Sequence, residues 1–361
     1  MALDRITLSH FRNHTETRCD DTRMFNLLIG ENGAGKTNVL EALSLLAPGR
    51  GLRRAALPDV ADHQGPGGFA IGATLRTRDA GEPVRIATHT RDTAPARRLV
   101  RINEAETSAV ALGEWLAIGW LTPAMDRIFT DSAGDRRRFV DRLALALDPS
   151  HARHATRYEA ALRERNRLLG DERPPEPEWL DGVEAQLADH GASLAAGRAR
   201  LLSFLSGELS LLPEAPFARP TLTYVNGGPI TREALYDAFR DSRRRDRAAG
   251  RTLIGPHRDE IAVAMAGKGI AAAASSTGEQ KAMLIAIVIA HANLAARGRP
   301  NLLLLDEVAA HLDPVRRDAL FARLADSGAQ IWLTGTELAP FVALRETAAI
   351  WRVVDGCLHR I

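Results

Sequence analysis

The chain has 361 residues, 45% hydrophobic and 25% charged, with a net charge of only +2. These globular values exclude a disordered chain and a polycation, so any nucleic-acid contact must come from a local patch. Lys36, Lys268 and Lys281 are the only lysines, so the basic surface is guanidinium, the group best matched to phosphate. Cys19 and Cys357 stand at opposite ends without metal-type spacing, as in a reducing compartment. Met1 to Arg5 carries no signal-peptide apolar region. The longest apolar run, Ala282 to Ala290, is shorter than the ~18 residues of a membrane span. A cytoplasmic protein with no membrane partner is expected.

Ile6 and Leu8 alternate with Thr7 and Ser9, a strand pattern that ends at Phe11-Arg12-Asn13-His14. Phe25 to Ile29 reads as a buried strand. Gly30-Glu31-Asn32-Gly33-Ala34-Gly35-Lys36-Thr37 follows and fits the P-loop pattern without mismatch. Val39, Leu40, Leu43, Leu46 and Ala47 then share one helical face. In that context the glycines let backbone N–H groups approach phosphates, and the helix N-terminus adds partial positive charge. Lys36 reaches the β- and γ-phosphates, and the Thr37 hydroxyl ligates Mg²⁺. ATP and Mg²⁺ are therefore the expected cofactors.

Pro48 to Arg54 breaks the helix and carries Arg50, Arg53 and Arg54. Phe69 to Leu75 and Val84 to Thr88 read as strands joined by a turn at 79–83. Leu99 to Asn103 is a further short strand. From Trp115 the pattern turns helical: Asp135 to Leu147, with Arg136, Arg137 and Arg138 at its start, then Arg153 to Leu169. A Pro-rich breaker at 171–177 separates these from Trp179 to Leu212, predicting a helical hairpin too short for a long coiled coil. Thr221 to Val225 is strand-like and Thr231 to Ala249 helical. Strands and helices alternate again from Leu253, as an α/β core would.

Leu302 to Leu305 reads as a buried central strand whose end delivers Asp306 and Glu307. Asp306 would hold Mg²⁺ through its shell, and Glu307 would polarise the attacking water. Ser276-Thr277-Gly278-Glu279-Gln280-Lys281 leads straight into an apolar helix. It also reads as an ordinary N-capped helix, with Ser276 or Thr277 as the cap and Glu279 near its third position.

This stretch resembles the signature motif of ABC-type ATPases, and it sits one helix before the Asp-Glu strand, as in that family. The resemblance implies that Thr277, Gly278 and Gln280 face the γ-phosphate held by a second subunit; Glu279 replaces the family's glycine. Ala309 to Asp313 takes the place of the D-loop, with Asp313 the matching acid. Gln64 is the candidate Q-loop glutamine, or simply a solvated loop residue. Where the family has a switch histidine this chain has Thr334 and Thr336, and either could substitute.

The helical insertion, Phe11 to His14, Leu121-Thr122-Pro123 with Asp135 to Arg142, and Leu253-Ile254-Gly255-Pro256-His257-Arg258-Asp259 together resemble the RecF family from end to end. The resemblance implies an α/β fold, an ABC-type P-loop ATPase core with an inserted, mainly helical lobe. The expected parts are 1–114 (core, with the P-loop), 115–251 (lobe) and 252–361 (core, with signature, Walker B and D-loop). It implies a homodimer that closes on DNA when ATP binds and reopens on slow hydrolysis. It also implies work with RecO and RecR at single-strand gaps and in SOS induction. Arg50, Arg53, Arg54, Arg136, Arg137 and Arg138 are candidate phosphate contacts, though each cluster alone also reads as solvated surface. Aromatics at 5% offer no stacking platform, which leans towards duplex or junction DNA. The alternative is a transporter ATPase subunit, against which the inserted lobe and the Gly-Pro-His-Arg-Asp stretch argue.

Overall fold

The computed structural model describes residues 3–76, 82–171, 176–213, 218–295, 299–309 and 312–361. Part of the expected turn at 79–83, part of the Pro-rich breaker, and Ala310 and His311 of the expected D-loop lie outside them. The chain forms two compact units: Met1–Asp126 with Pro213–Phe217 and Leu284–Ile361, and Arg127–Leu212 with Ala218–Met283.

The first unit holds two sheets. One is antiparallel, in the order β2 (His14–Cys19), β1 (Leu3–Phe11), β4 (Ala70–Leu75), β5 (Val84–Arg91), β6 (Ala94–Ile102), β7 (Ala105–Thr107). Its strands alternate buried and exposed residues, as expected of a sheet with one face on the core. The other sheet has the order β14 (Cys357–Arg360), β13 (Ala348–Val354), β3 (Phe25–Ile29), β12 (Gln330–Gly335), β11 (Asn301–Leu305), β8 (Ala117–Leu121). All pairings are parallel except β13 with β14. Strands β3, β8, β11 and β12 are buried at every position, which is why apolar residues dominate them. Helix α1 (Lys36–Ser44) follows β3, and α9 (Pro314–Asp326) precedes β12. Two single-turn helices, α2 (Leu57–Val60) and α3 (Leu112–Trp115), lie on the connections of the antiparallel sheet. One apolar core joins residues of both sheets and α1, among them Leu8, Ile71, Ile86, Leu40, Leu304 and Trp332.

The second unit is mainly helical: α4 (Ala133–Leu147), α5 (His151–Gly170), α6 (Pro177–Leu211) and α7 (Arg232–Ala249), with the two-stranded pair β9 (Pro220–Val225) and β10 (Glu260–Met265). Helices α5 and α6 pair, as the predicted hairpin requires, around Tyr158, Leu168, Leu187 and Leu194. The hairpin is pinned by Arg165, fully buried, on Glu184 of α6 (3.0 Å) and Asp246 of α7 (2.7 Å). Helix α8 (Thr277–Ala295) begins in this unit and ends in the first.

The unit boundaries differ from the expected ones at both ends. Trp115 is not the start of the lobe, because β8 beyond it pairs with β11 in the core sheet. Nor does the lobe stop at Arg251: β10 pairs with β9, and residues to Met283 stay with the lobe. Leu253 to Gly255 form no strand; a 3₁₀ turn at Pro256–Arg258 leads into β10.

Candidate nucleotide site

The end of β3 turns through the glycine-rich loop into α1. Gly35, at φ +112°, takes a left-handed conformation that other residues resist, and a Cβ there would strike Asn13 and His14 at 2.8–2.9 Å. Those two residues brace the loop from outside. Asn13 Nδ2 donates to Ala34 O at 3.1 Å, and His14 Nε2 meets Gly35 O at 3.1 Å. Gly356 N–H donates to the same Ala34 O at 3.0 Å. Burial holds the His14 imidazole below its ordinary range, with the Gly35 and Gly356 backbone contacts offsetting part. Phe11 to His14 was legible only as a motif; its bracing role depends on contacts across 21 residues of chain.

Lys36 folds back, its Nζ donating to Gly30 O at 2.6 Å and Glu31 O at 2.9 Å. Burial pulls its ammonium below the ordinary lysine range, and Glu307 and Asp306 draw it partway back. An open cavity of about 850 Å³ lies beside Gly30 to Ala34, lined also by Thr336, Glu337 and residues 352–355.

The core sheet brings Asp306 to this loop, because β3 and β11 both flank β12 and run parallel to it. Thr37 Oγ1 donates to Asp306 at 3.0 Å, and Thr334 Oγ1 donates to the same carboxylate at 2.8 Å. Glu307 N–H donates to Thr334 Oγ1 at 2.9 Å. Glu307 itself has φ +51°, a strained conformation for a non-glycine residue and one that concentrates at functional sites. Of the two threonine alternatives, the structure puts Thr334 on the Asp306 carboxylate and the Glu307 backbone N–H and leaves Thr336 exposed on the cavity rim.

The oxygens present fit Mg²⁺. Neighbouring ligands of an octahedral ion with ~2.0–2.1 Å bonds lie about 2.9 Å apart, close to the 3.0 Å between Thr37 Oγ1 and Asp306 Oδ1. Among the described residues no cluster of three or more His, Cys, Asp or Glu could hold a metal alone. The remaining ligands would be phosphate and water, as is usual for this ion.

Other expected residues fall elsewhere. Gln64 is exposed on the loop after α2, its N–H on Asp62 Oδ1 at 3.0 Å, and among the described residues no hydrogen bond joins it to the P-loop. Asp313 is exposed and caps α9 by accepting from Arg316 N–H. In the second unit Ser276 and Glu279 form a reciprocal capping box, so the N-cap reading of that stretch is realised. Thr277 and Gly278 stay exposed, and Gln280 is buried with Nε2 on Ser275 O at 2.9 Å.

Of the six candidate arginines, Arg53, Arg136, Arg137 and Arg138 hold partners within the chain. Arg136 forms a two-pronged pair with Glu260 of β10, both at 2.8 Å, and Arg137 donates to Asp259 O at 2.8 Å. Both are half-buried struts between α4 and the start of β10. Arg53 lies on Asn38 and Glu41 at 2.7 and 2.8 Å, and Arg138 pairs with Asp135. Arg50 and Arg54 are exposed with no ion-pair partner among the described residues.

A nucleotide loop, a carboxylate pair at the end of a parallel strand and a helical lobe carrying a signature-like turn define an ABC-type ATPase head. The RecF/RecN/SMC N terminal domain family matches residues 2–350. The chain is 44% identical to the DNA replication and repair protein RecF of Brucella abortus, covering 100% of this chain and 97% of that one. It is also 44% identical to RecF of Mesorhizobium japonicum, over 98% and 96% of the two chains. The recombination mediator protein RecF of the RecFOR pathway, in its ATP form, superimposes with a TM-score of 0.86 at 22% identity, over 100% and 97%. An Smc head bound to the C-winged helix domain of ScpA shares the fold at a TM-score of 0.55 and 16% identity, over 100% and 97%. The chain belongs to the RecF family. The transporter alternative has no support among these relatives, and among the described residues no helix is long and apolar enough to cross a membrane.

Proposed function

We propose that the chain is an ATP-switched DNA repair and replication protein that closes as a homodimer on DNA at single-strand gaps or junctions. The nucleotide part rests on one observation: Thr37, Thr334 and Asp306 joined by hydrogen bonds of 2.8–3.0 Å beside Lys36, with Glu307 next in line. The DNA part rests on end-to-end similarity to DNA replication and repair proteins.

In this reading Gly30 to Gly35 wrap the phosphates and Lys36 leaves its loop carbonyls for the β- and γ-oxygens. Thr37 and Asp306 would hold Mg²⁺, which when bound neutralises charge developing between those phosphates. Glu307 accepts a proton from the attacking water. Its conformation is fixed by the Thr334 hydroxyl, so Thr334 positions rather than senses through an imidazole. The exposed Thr277 and Gly278 then complete the site of a second copy. Hydrolysis is slow and reopens the dimer; RecO- and RecR-type proteins are the partners, in the cytoplasm.

Steady-state ATP turnover without DNA, with single strands and with gapped duplex tests the reading. Stimulation by gapped duplex that fades with salt is expected. Turnover indifferent to every DNA contradicts it.

A further inference from the structure

Helix α8 opens with donors that it does not use itself. The first N–H groups of any helix lack intrahelical acceptors. Thr277 and Gly278 hold two of them, and both residues are exposed. Among the described residues neither of these N–H groups nor the Thr277 hydroxyl has an acceptor.

A carboxylate stands beside these donors. Glu279 occupies the position where the resembling motif has glycine. Its Oε2 accepts from the Ser276 N–H and from the Ser276 hydroxyl, both at 2.9 Å. Its Oε1 lies 3.7 Å from the ammonium of Lys268, which is exposed on the turn after β10. The Ser276 N–H first, then its hydroxyl and Lys268, hold the Glu279 carboxyl below the ordinary glutamate range. It is therefore an anion at neutral pH. The capping box does not need that charge, because glutamine serves the same position. The charge acts on any second anion that approaches Thr277 and Gly278, since both would share one helix end.

We infer that Glu279 is a brake on closure of the dimer, its carboxylate opposing the γ-phosphate that a second copy brings to Thr277 and Gly278, and that Lys268 eases this brake. The assignment rests on the composite-site reading above. The phosphate meets a like charge in place of the open, partly positive helix end that glycine would leave. Lys268 offsets part of the repulsion. It is also the cation towards which the carboxylate can turn, and that turn frees the Ser276 N–H and hydroxyl as two more donors for phosphate. Closure then requires abundant ATP, and the closed state is easily reopened.

The test is an ATP titration of the full-length protein with Mg²⁺, its dimer fraction followed by light scattering. Glu279→Gln keeps the capping hydrogen bonds and removes the charge. It should dimerise at roughly tenfold lower ATP, the worth of one unit charge a few ångströms from a phosphate near the surface. Glu279→Gly should shift the midpoint the same way. Lys268→Gln should shift it to higher ATP. The Glu279→Gln/Lys268→Gln double variant should match Glu279→Gln alone, because Lys268 acts through Glu279. The advantage of Glu279→Gln should shrink as salt screens the charge. A cap with no part in closure predicts none of these shifts. Glu279→Gln and Glu279→Gly at or above the wild-type midpoint would overturn the brake while leaving the composite site standing. Lys268→Gln at the wild-type midpoint would overturn the role of Lys268. Wild type that stays monomeric at every ATP concentration would overturn the composite-site reading and the brake with it.

Discussion

At Asp306 two hydroxyls converge, and the backbone N–H of the next residue shares one of them. That arrangement fixes the carboxylate and the strained Glu307 backbone together. Glu307→Gln keeps the shape but cannot take a proton. ATP turnover should fall roughly 10²–10⁴-fold, the usual worth of a general base, with ATP binding retained. A single-turnover assay that finds wild-type hydrolysis would remove Glu307 from this role. His14 adds a pH dependence. Its folded pKa is lowered, so the unfolded chain binds more protons as pH falls below the ordinary value of 6.5. Stability should therefore be full above about pH 6.5 and decline below it. His14→Gln should lose part of that acid sensitivity in thermal melts at pH 7.5 and 5.5. Lys36, Thr37, Asp306 and Glu307 were legible because their chemistry is written in consecutive residues. His14 as a brace, and Thr334 over Thr336, were not legible, since each depends on which strands become neighbours.

At the scale of elements, loops are held by buried and half-buried arginines that pattern alone does not reveal. Arg98 on β6 reaches past the sheet to the carbonyls of Leu45, Ala47 and Gly49, where α1 ends. Burial brings its pKa down to about 10, still charged at neutral pH. The loop it holds displays Arg50 and Arg54. Arg98→Met should leave those carbonyls unsatisfied, costing about 1–3 kcal/mol in denaturant unfolding. Amide exchange of residues 45–54 should speed up while residues of α6 are unchanged. Unaltered exchange there would show that the loop does not depend on Arg98. In the lobe, Arg198 bridges Asp141 at 2.7 Å and Asp259 at 2.8 Å, so the Gly-Pro-His-Arg-Asp stretch is a structural keystone as well as a family mark. The same long-range pairing leaves Arg136 and Arg137 only half-exposed. A run of arginines at a helix start reads as exposed until its partner, 122–124 residues away, is known.

At the scale of the whole molecule, helical periodicity predicted a lobe between halves of a core, and the structure contains both. It missed the edges because β8 is a strand with the same apolar character as the core helices, and because β9 finds its partner only beyond Arg251. The P-loop and the signature-like turn belong to different units of one chain, and the turn leaves Thr277 and Gly278 exposed. That is the division expected of a head whose nucleotide site is completed by a second copy. The most direct test is sedimentation velocity of wild type, Lys36→Ala and Glu307→Gln, each with and without ATP and gapped duplex. Wild type should shift from monomer to dimer with ATP, Glu307→Gln should stay dimeric, and Lys36→Ala should remain monomeric throughout. A wild-type profile unchanged by ATP, with or without DNA, would contradict the account.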